Sequence, residues 1–322
     1  STSVLVKAND VFNYLDSNWK NSPQKTEVLN MPRERDQDST PFCPGFGHQI
    51  VLQHAYCVEN KIKDCSKVPP EKEFSPLSVM ARCYEDSTDK RGASAEIYYG
   101  TSNHSNVPVY KSRQELPCSS SRIAFRSKFN TLYYPEACYP FDQFANRFPA
   151  RTHQQAYLDE VAKIEKYYDK YKTEGSICEE CFLKDVNAFL YPTVGMKSPS
   201  SLELLASLKQ KTKDKMWFEL FGFQNCNDRD VDGVSLEGKY NFHIYPQDGD
   251  IIDYKQAKEV FLKAFAKKRP VSLGVCIAIG PDGLCRAGHD FVIYGFDIMC
   301  KKNDPNNCVD DVKLQYTMGK DF

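Results

Sequence analysis

Thirteen cysteines are scattered along the chain from Cys43 to Cys308, and they limit its fold more than any other feature. They do not gather into two compact ligand clusters, so their spacing favours disulfides over a zinc site. Because cytosolic thiols are kept reduced, this pattern predicts a secreted protein or one from another extracytoplasmic compartment, whether periplasmic, extracellular or lysosomal. The count is odd, so at least one thiol stays unpaired within the chain. An unpaired thiol in a disulfide-rich chain is a candidate working group.

The charges of the chain are balanced. Lys and Arg number 42 and Asp and Glu number 43, which leaves a formal net charge of -1. No overall field therefore attracts nucleic acid or an anionic membrane surface. No segment reaches the roughly 18 to 20 apolar residues that a membrane span requires. We expect a globular protein with no nucleic-acid partner, no membrane span, no metal and no other cofactor.

A buried helix is predicted to begin next to the first cysteine. Apolar residues recur at helical spacing through 44–62, and Pro44 suits the first helical position, where its missing N–H costs nothing. Cys43 then falls at the N-cap, where the helix dipole supplies roughly half a positive charge. Such a setting, with an imidazolium beside it, lowers the pKa of a thiol and makes it nucleophilic.

The remaining patterns predict helices first and antiparallel strands last, which is an α+β arrangement. Charged amphipathic helices are predicted within 151–222, on either side of Cys178 and Cys181. A further helix is predicted at 253–267. The strands are predicted at 270–279, 289–296 and 312–318. Cys300 and Cys308 are expected to join the last two strands.

Two segments resemble the papain-like cysteine peptidases. Residues 35–47, RDQDSTPFCPGFG, are similar to the family's glutamine and cysteine segment, which aligns Gln37 with the oxyanion glutamine and Cys43 with the nucleophile. Residues 288–297, GHDFVIYGFD, resemble the strand that opens with the catalytic histidine, here His289. The segments FSPLSVMARC and CYPFD also resemble family segments in the same order. The resemblance implies a secreted hydrolase, a thiol protease that cleaves polypeptides.

The resemblance also implies a two-lobed fold with the active cleft between the lobes. A mainly helical lobe over 1–150 would carry the Cys43 helix, and a lobe of antiparallel sheet or barrel over 241–322 would carry His289. Residues 151–240 are interpreted as a helical insertion. The insertion would explain why Cys43 and His289 are farther apart than the about 130 to 150 residues typical of the family. For substrate binding, the resemblance suggests Gly92 and Gly288.

Several family features are missing. Pro44 stands where the family has an aromatic residue, and Thr40 stands where it has a disulfide cysteine. The family's asparagine segment does not occur before Phe322, so the third catalytic residue is unassigned. Asn303, Asn306 and Asn307 are expected in a hairpin loop and are not chosen for that role. Two alternatives follow: a papain-fold binding protein without catalysis, or another cysteine acyl hydrolase such as a cell-wall amidase.

Other conspicuous residues have simpler interpretations. His48 and His54 lie beside the apolar stripe of the first helix and are expected to be buried structural histidines. The charged helix near 154–172 is expected to present a solvated face. Its tyrosines are candidates for a protein partner's surface on the helical insertion. Cys178 and Cys181 are expected to form disulfides.

Overall fold

The computed structural model describes residues 19–38, 40, 43–78, 132–133, 135–138, 140–148, 154–191, 199–222, 234–235, 254–279 and 285–315. The strands in these ranges are β1 (Trp19–Glu27), β2 (Leu132–Tyr133), β3 (Val234–Ser235), β4 (Val271–Ile279), β5 (Cys285–Lys301) and β6 (Asp304–Gln315). The helices are α1 (Cys43–Glu59), α2 (Phe141–Ala145), α3 (Gln154–Glu174), α4 (Glu179–Leu190), α5 (Ser201–Ser207), α6 (Lys213–Gly222) and α7 (Tyr254–Ala266). The described fold is therefore a mixture of helices and antiparallel sheet, as predicted.

The larger sheet is built around β5, whose aromatic and β-branched residues suit a strand paired on both edges. β4 pairs with its first half and β1 with its second half, along one edge. β6 returns along the other edge through a tight turn, and all pairings are antiparallel. The predicted strands at 270–279 and 289–296 are confirmed, although β5 extends well beyond the second prediction in both directions.

β1 was not predicted. Its sequence, WKNSPQKTE, is polar and contains Pro23, which is tolerated at a sheet edge but not in a central strand. The pairing with β5 shifts register between Asn21 and Lys25, around this proline. An early segment of the chain therefore supplies an edge strand to a sheet made mostly of late segments.

Helices α3 to α6 surround the larger hydrophobic core. Tyr157 and Tyr168 of α3 are buried in it, so the suggestion that the tyrosines of this helix form a partner's surface is wrong for these two residues. Tyr157 packs edge-on against Phe148, and the Tyr168 hydroxyl donates to the Gln210 carbonyl. Burial of these rings removes them from any surface offered to a partner.

The segment that ends in CYPFD is buried at Glu136, Cys138 and Phe141, and Phe141 packs against Phe46 in the first turn of α1. The hairpin loop predicted for the three asparagines is corrected. The turn between β5 and β6 is only 302–303, so Asn306 and Asn307 lie in β6. The described residues of 151–222 form helices α3 to α6, on either side of Cys178 and Cys181 as predicted.

Three disulfides join described residues. They are Cys57–Cys65, Cys178–Cys181 and Cys300–Cys308. The last one joins β5 to β6 directly across the hairpin, as predicted. Cys138 is also disulfide-bonded. These bonds are compatible with a secreted, disulfide-bonded protein.

Candidate functional site

Helix α1 begins at Cys43, one residue earlier than predicted. Its first turn is held by Phe46, which is fully buried and lies edge-on to Phe141 with the ring centres 4.8 Å apart. The guanidinium of Arg35 lies 5.7 Å from the centre of the Phe46 ring. The start of the helix is therefore packed against both the preceding segment and α2.

Gln37 is buried just upstream of this helix. Its side-chain Nε2 donates to the Thr40 carbonyl at 3.0 Å. The Thr40 hydroxyl donates back to the Gln37 carbonyl at 2.6 Å, and the Thr40 N–H donates to the same oxygen at 3.1 Å. This reciprocal turn fixes the amide of Gln37 on the side of the segment that leads into Cys43.

A partly buried cluster of two arginines and three carboxylates anchors the same segment. Its members are Arg33, Arg35, Glu73, Glu136 and Asp142. Arg35 contacts Glu136 at 2.7 Å and Asp142 at 2.8 Å. Arg33 contacts Glu73 at 2.7 Å and Asp142 at 2.7 Å. The cluster thus ties the approach to α1 to two segments that are distant in sequence, one at Glu73 and one at 136–142.

The cluster contains one more carboxylate than arginines. Burial determines which carboxyl group has a raised pKa. Burial raises the pKa of Glu136 from 4.5 to about 7, although Arg35 acts in the opposite direction. Burial also acts to raise the pKa of Asp142, but the two arginines outweigh it and the net shift is downward. Glu136 is therefore the member of this pair that takes up a proton near neutral pH.

Helix α1 packs against β5 and β4. Toward the C-terminal end of the helix, Nε2 of His54 lies 3.2 Å from the Leu29 carbonyl, and burial lowers the pKa of this histidine. The neighbouring Val28 N–H donates to the Tyr294 carbonyl of β5 at 2.7 Å. His48 and His54 are both buried, as predicted.

Toward the N-terminal end of the helix, the same connecting segment contacts the end of β6. Nε2 of Gln315 donates to the Arg33 carbonyl at 3.0 Å, and Gln315 is paired with Val292. Two residues later, Arg35 contacts Phe46 of the first helical turn. Residues 28–35 therefore connect the C-terminal half of α1 with its first turn, and they contact β5 and β6 on the way.

The structure describes only the backbone at Cys43, Gly288 and His289. His289 lies in β5 opposite Val275 of β4, and Gly288 lies opposite Cys276. Cys43 is the first residue of α1. Gly92 lies outside the described residues.

The charged cluster was not predicted, although two of its members lie in segments that resemble the papain-like family. Arg35 opens the segment containing Gln37 and Cys43, and Asp142 closes the CYPFD segment. Opposite charges in two segments expected to pack near the same helix were the available signal. Glu73 carries no such signal, because its position in the sequence gives no indication of its partner Arg33.

The described fold and disulfides define a mixed α+β protein with covalent cross-links. Within the described ranges, no helix combines the length and apolar character needed to cross a membrane. No family model, curated protein or solved structure matches the chain.

Proposed function

We propose that the chain is a secreted cysteine peptidase with a papain-like two-lobed fold, in which Cys43 is the nucleophile and His289 its acid and base. One observation carries the proposal: the helix that begins at Cys43 packs against the strand that contains His289.

In the proposed reaction, the Cys43 thiolate attacks the carbonyl carbon of a peptide bond and forms a carbon–sulfur bond. The carbonyl oxygen becomes an oxyanion, which accepts hydrogen bonds from the Cys43 N–H and the Gln37 amide. Protonated His289 gives its proton to the leaving amine as the carbon–nitrogen bond breaks. Water then loses a proton to His289, attacks the acyl group and releases the acid together with the Cys43 thiolate.

The surroundings of Gln37 support its assignment as an oxyanion donor. Such a donor stabilises a transition state only when it is already oriented before the charge develops. The bond from Gln37 to Thr40 fixes the amide, and the buried ion pairs of Arg35 fix the backbone two residues upstream. Gly288, next to His289, is proposed to line the substrate cleft.

Hydrolysis of casein and of a fluorogenic peptide tests the proposal. We expect Cys43→Ala and His289→Asn to abolish turnover, and Gln37→Ala to lower kcat by about 100- to 1000-fold, as removal of an oxyanion donor does elsewhere. Leu202 is exposed, so the variant Leu202→Ala serves as a control for expression and purification and should retain wild-type turnover. Hydrolysis by Cys43→Ala at the wild-type rate would contradict the mechanism.

A second measurement addresses the thiol itself. A thiol-directed electrophile applied at pH 6 should label Cys43 in the wild type, because only an activated thiolate reacts quickly at that pH. The label should be lost in His289→Asn. Recovery of Cys43 in a disulfide-linked peptide, or labelling no faster than that of an ordinary thiol, would overturn the proposal in favour of a non-catalytic protein. Cleavage of peptidoglycan but not casein would overturn it in favour of an amidase.

A further inference from the structure

The disulfide between Cys178 and Cys181 differs from the other two in its surroundings. Both of its cysteines are exposed at the start of α4, whereas Cys57 and Cys65 are 0% and 2% exposed, and Cys308 is exposed but its partner Cys300 is only 9% exposed. Of the three described bridges, it is therefore the one that is open to solvent at both residues, from which a thiolate must reach a sulfur atom to open the bond. The sulfurs of the buried bridge cannot be reached in this way without local unfolding.

The position of the bridge on the helix favours its opening. Cys178 is the N-cap of α4, a helix of 12 residues, and its Sγ accepts a hydrogen bond from the Cys181 N–H at 3.2 Å. If a thiolate attacks Sγ of Cys181, Sγ of Cys178 leaves as a thiolate. The N–H group and the helix dipole stabilise that negative charge, and a stabilised thiolate is a better leaving group.

The fold does not need this bridge to hold α3 and α4 together. Asp185 of α4 accepts hydrogen bonds from Lys163 at 2.8 Å and from the Tyr167 hydroxyl at 2.7 Å. Phe182 is fully buried and packs edge-on against Tyr167, with ring centres 5.6 Å apart. A bridge that spans three residues also restricts the unfolded chain less than one that spans a longer loop.

We propose that Cys178–Cys181 is a redox-active site that exchanges with thiols, interconverting between disulfide and dithiol within the folded protein. Two thiol molecules supply two electrons and two protons. The first forms a mixed disulfide with one cysteine, and the second displaces that cysteine and leaves as part of an oxidised thiol dimer. Both cysteines end as thiols. This activity is independent of the peptidase reaction and uses a separate pair of sulfurs.

Graded reduction of the full chain tests the proposal. The protein is incubated in glutathione buffers of increasing reducing strength, alkylated, and analysed peptide by peptide by mass spectrometry, while circular dichroism reports the fold. We expect Cys178–Cys181 to open at least tenfold faster than Cys57–Cys65, with the circular dichroism spectrum unchanged. Opening of the two bridges together, or opening of Cys178–Cys181 only when the spectrum is lost, would overturn the proposal.

Single substitutions test the role of the helix terminus. Cys181→Ser leaves the Cys178 thiol, and Cys178→Ser leaves the Cys181 thiol, both in a Cys43→Ala background that removes the proposed nucleophile. In Cys181→Ser, the alkylation rate of Cys178 should reach half its maximum at a pH below the ordinary thiol pKa of about 8.5. The midpoint for Cys181 in the other variant should be higher. Equal midpoints at about 8.5 would refute the proposed stabilisation by the helix. Because catalysis is absent from this background, the outcome does not depend on the peptidase proposal.

Discussion

The buried carboxyl of Glu136 should make the stability of the protein depend on pH. Its pKa is raised from 4.5 to about 7 in the folded state, so the folded protein holds this proton more tightly than the unfolded chain does. The associated stability is fully present below pH 4.5 and is lost as the pH rises through about 7. At about 1.36 kcal/mol per unit of pKa, the loss is about 3 kcal/mol.

The informative perturbation is Glu136→Gln, because glutamine has the shape of the protonated acid and does not titrate. Urea unfolding of the wild type and the variant should be compared at several pH values between 4.5 and 8. We expect the free energy of unfolding of the wild type, relative to the variant, to fall by about 3 kcal/mol across this range. Taking the difference removes the contribution of His54, whose lowered pKa acts with the opposite sign in the same range.

Asp142→Asn is the matched control within the same cluster. The pKa of Asp142 is lowered from 3.8, so this carboxyl stays ionised throughout the measured range. Its substitution should destabilise the protein across the range. Because the charge of Asp142 also helps to raise the pKa of Glu136, the substitution should reduce the fall in stability with pH without abolishing it. The free energy of unfolding of the wild type minus that of Glu136→Gln is expected to fall with pH. If this difference stays constant or rises with pH, the assignment of the buried proton to Glu136 is refuted.

Three further substitutions test the packing. Phe189→Ala should lower the free energy of unfolding by about 3 to 5 kcal/mol in urea titrations, because Phe189 is fully buried among aromatic rings; a loss below 1 kcal/mol would contradict this core. Gly295→Ala should cost about 1 to 3 kcal/mol by thermal unfolding, since a Cβ there would lie 2.7 Å from the Thr26 carbonyl oxygen and would displace β1; an unchanged Tm would argue against that pairing. Ser200→Ala removes the capping box with Glu203 and should cost about 1 kcal/mol, with faster amide exchange confined to the start of α5.

Local patterns in the sequence were sufficient for the elements whose periodicity is strong. The helix at 254–266 was predicted within one residue of each end, because its apolar spacing identifies one buried face. The start of α1 and the strand β4 were predicted for the same kind of reason. The bridge between Cys300 and Cys308 followed from the hairpin, in which residues on either side of a tight turn lie opposite each other.

Contacts between distant segments were not predictable in this way. β1 is polar and lacks a clear alternation, and only its pairing with β5, far along the chain, makes it a strand. Tyr157 and Tyr168 are on a charged helix that resembles a solvated one, yet the facing helices bury them. Propensity and periodicity describe each segment alone, whereas burial depends on what packs against it.

The sequence by itself determined the mixed helix and sheet composition, the start of a helix within one residue of Cys43, and the hairpin cross-link, since each depends on residues near one another in the chain. Only the tertiary structure decided that Arg33 and Arg35 meet carboxylates from two other segments, and that α1 lies on β5. Charge pairs and helix-on-sheet packing join residues that are far apart in the chain. Their stabilisation depends on distance and on exclusion of water, neither of which a single segment specifies.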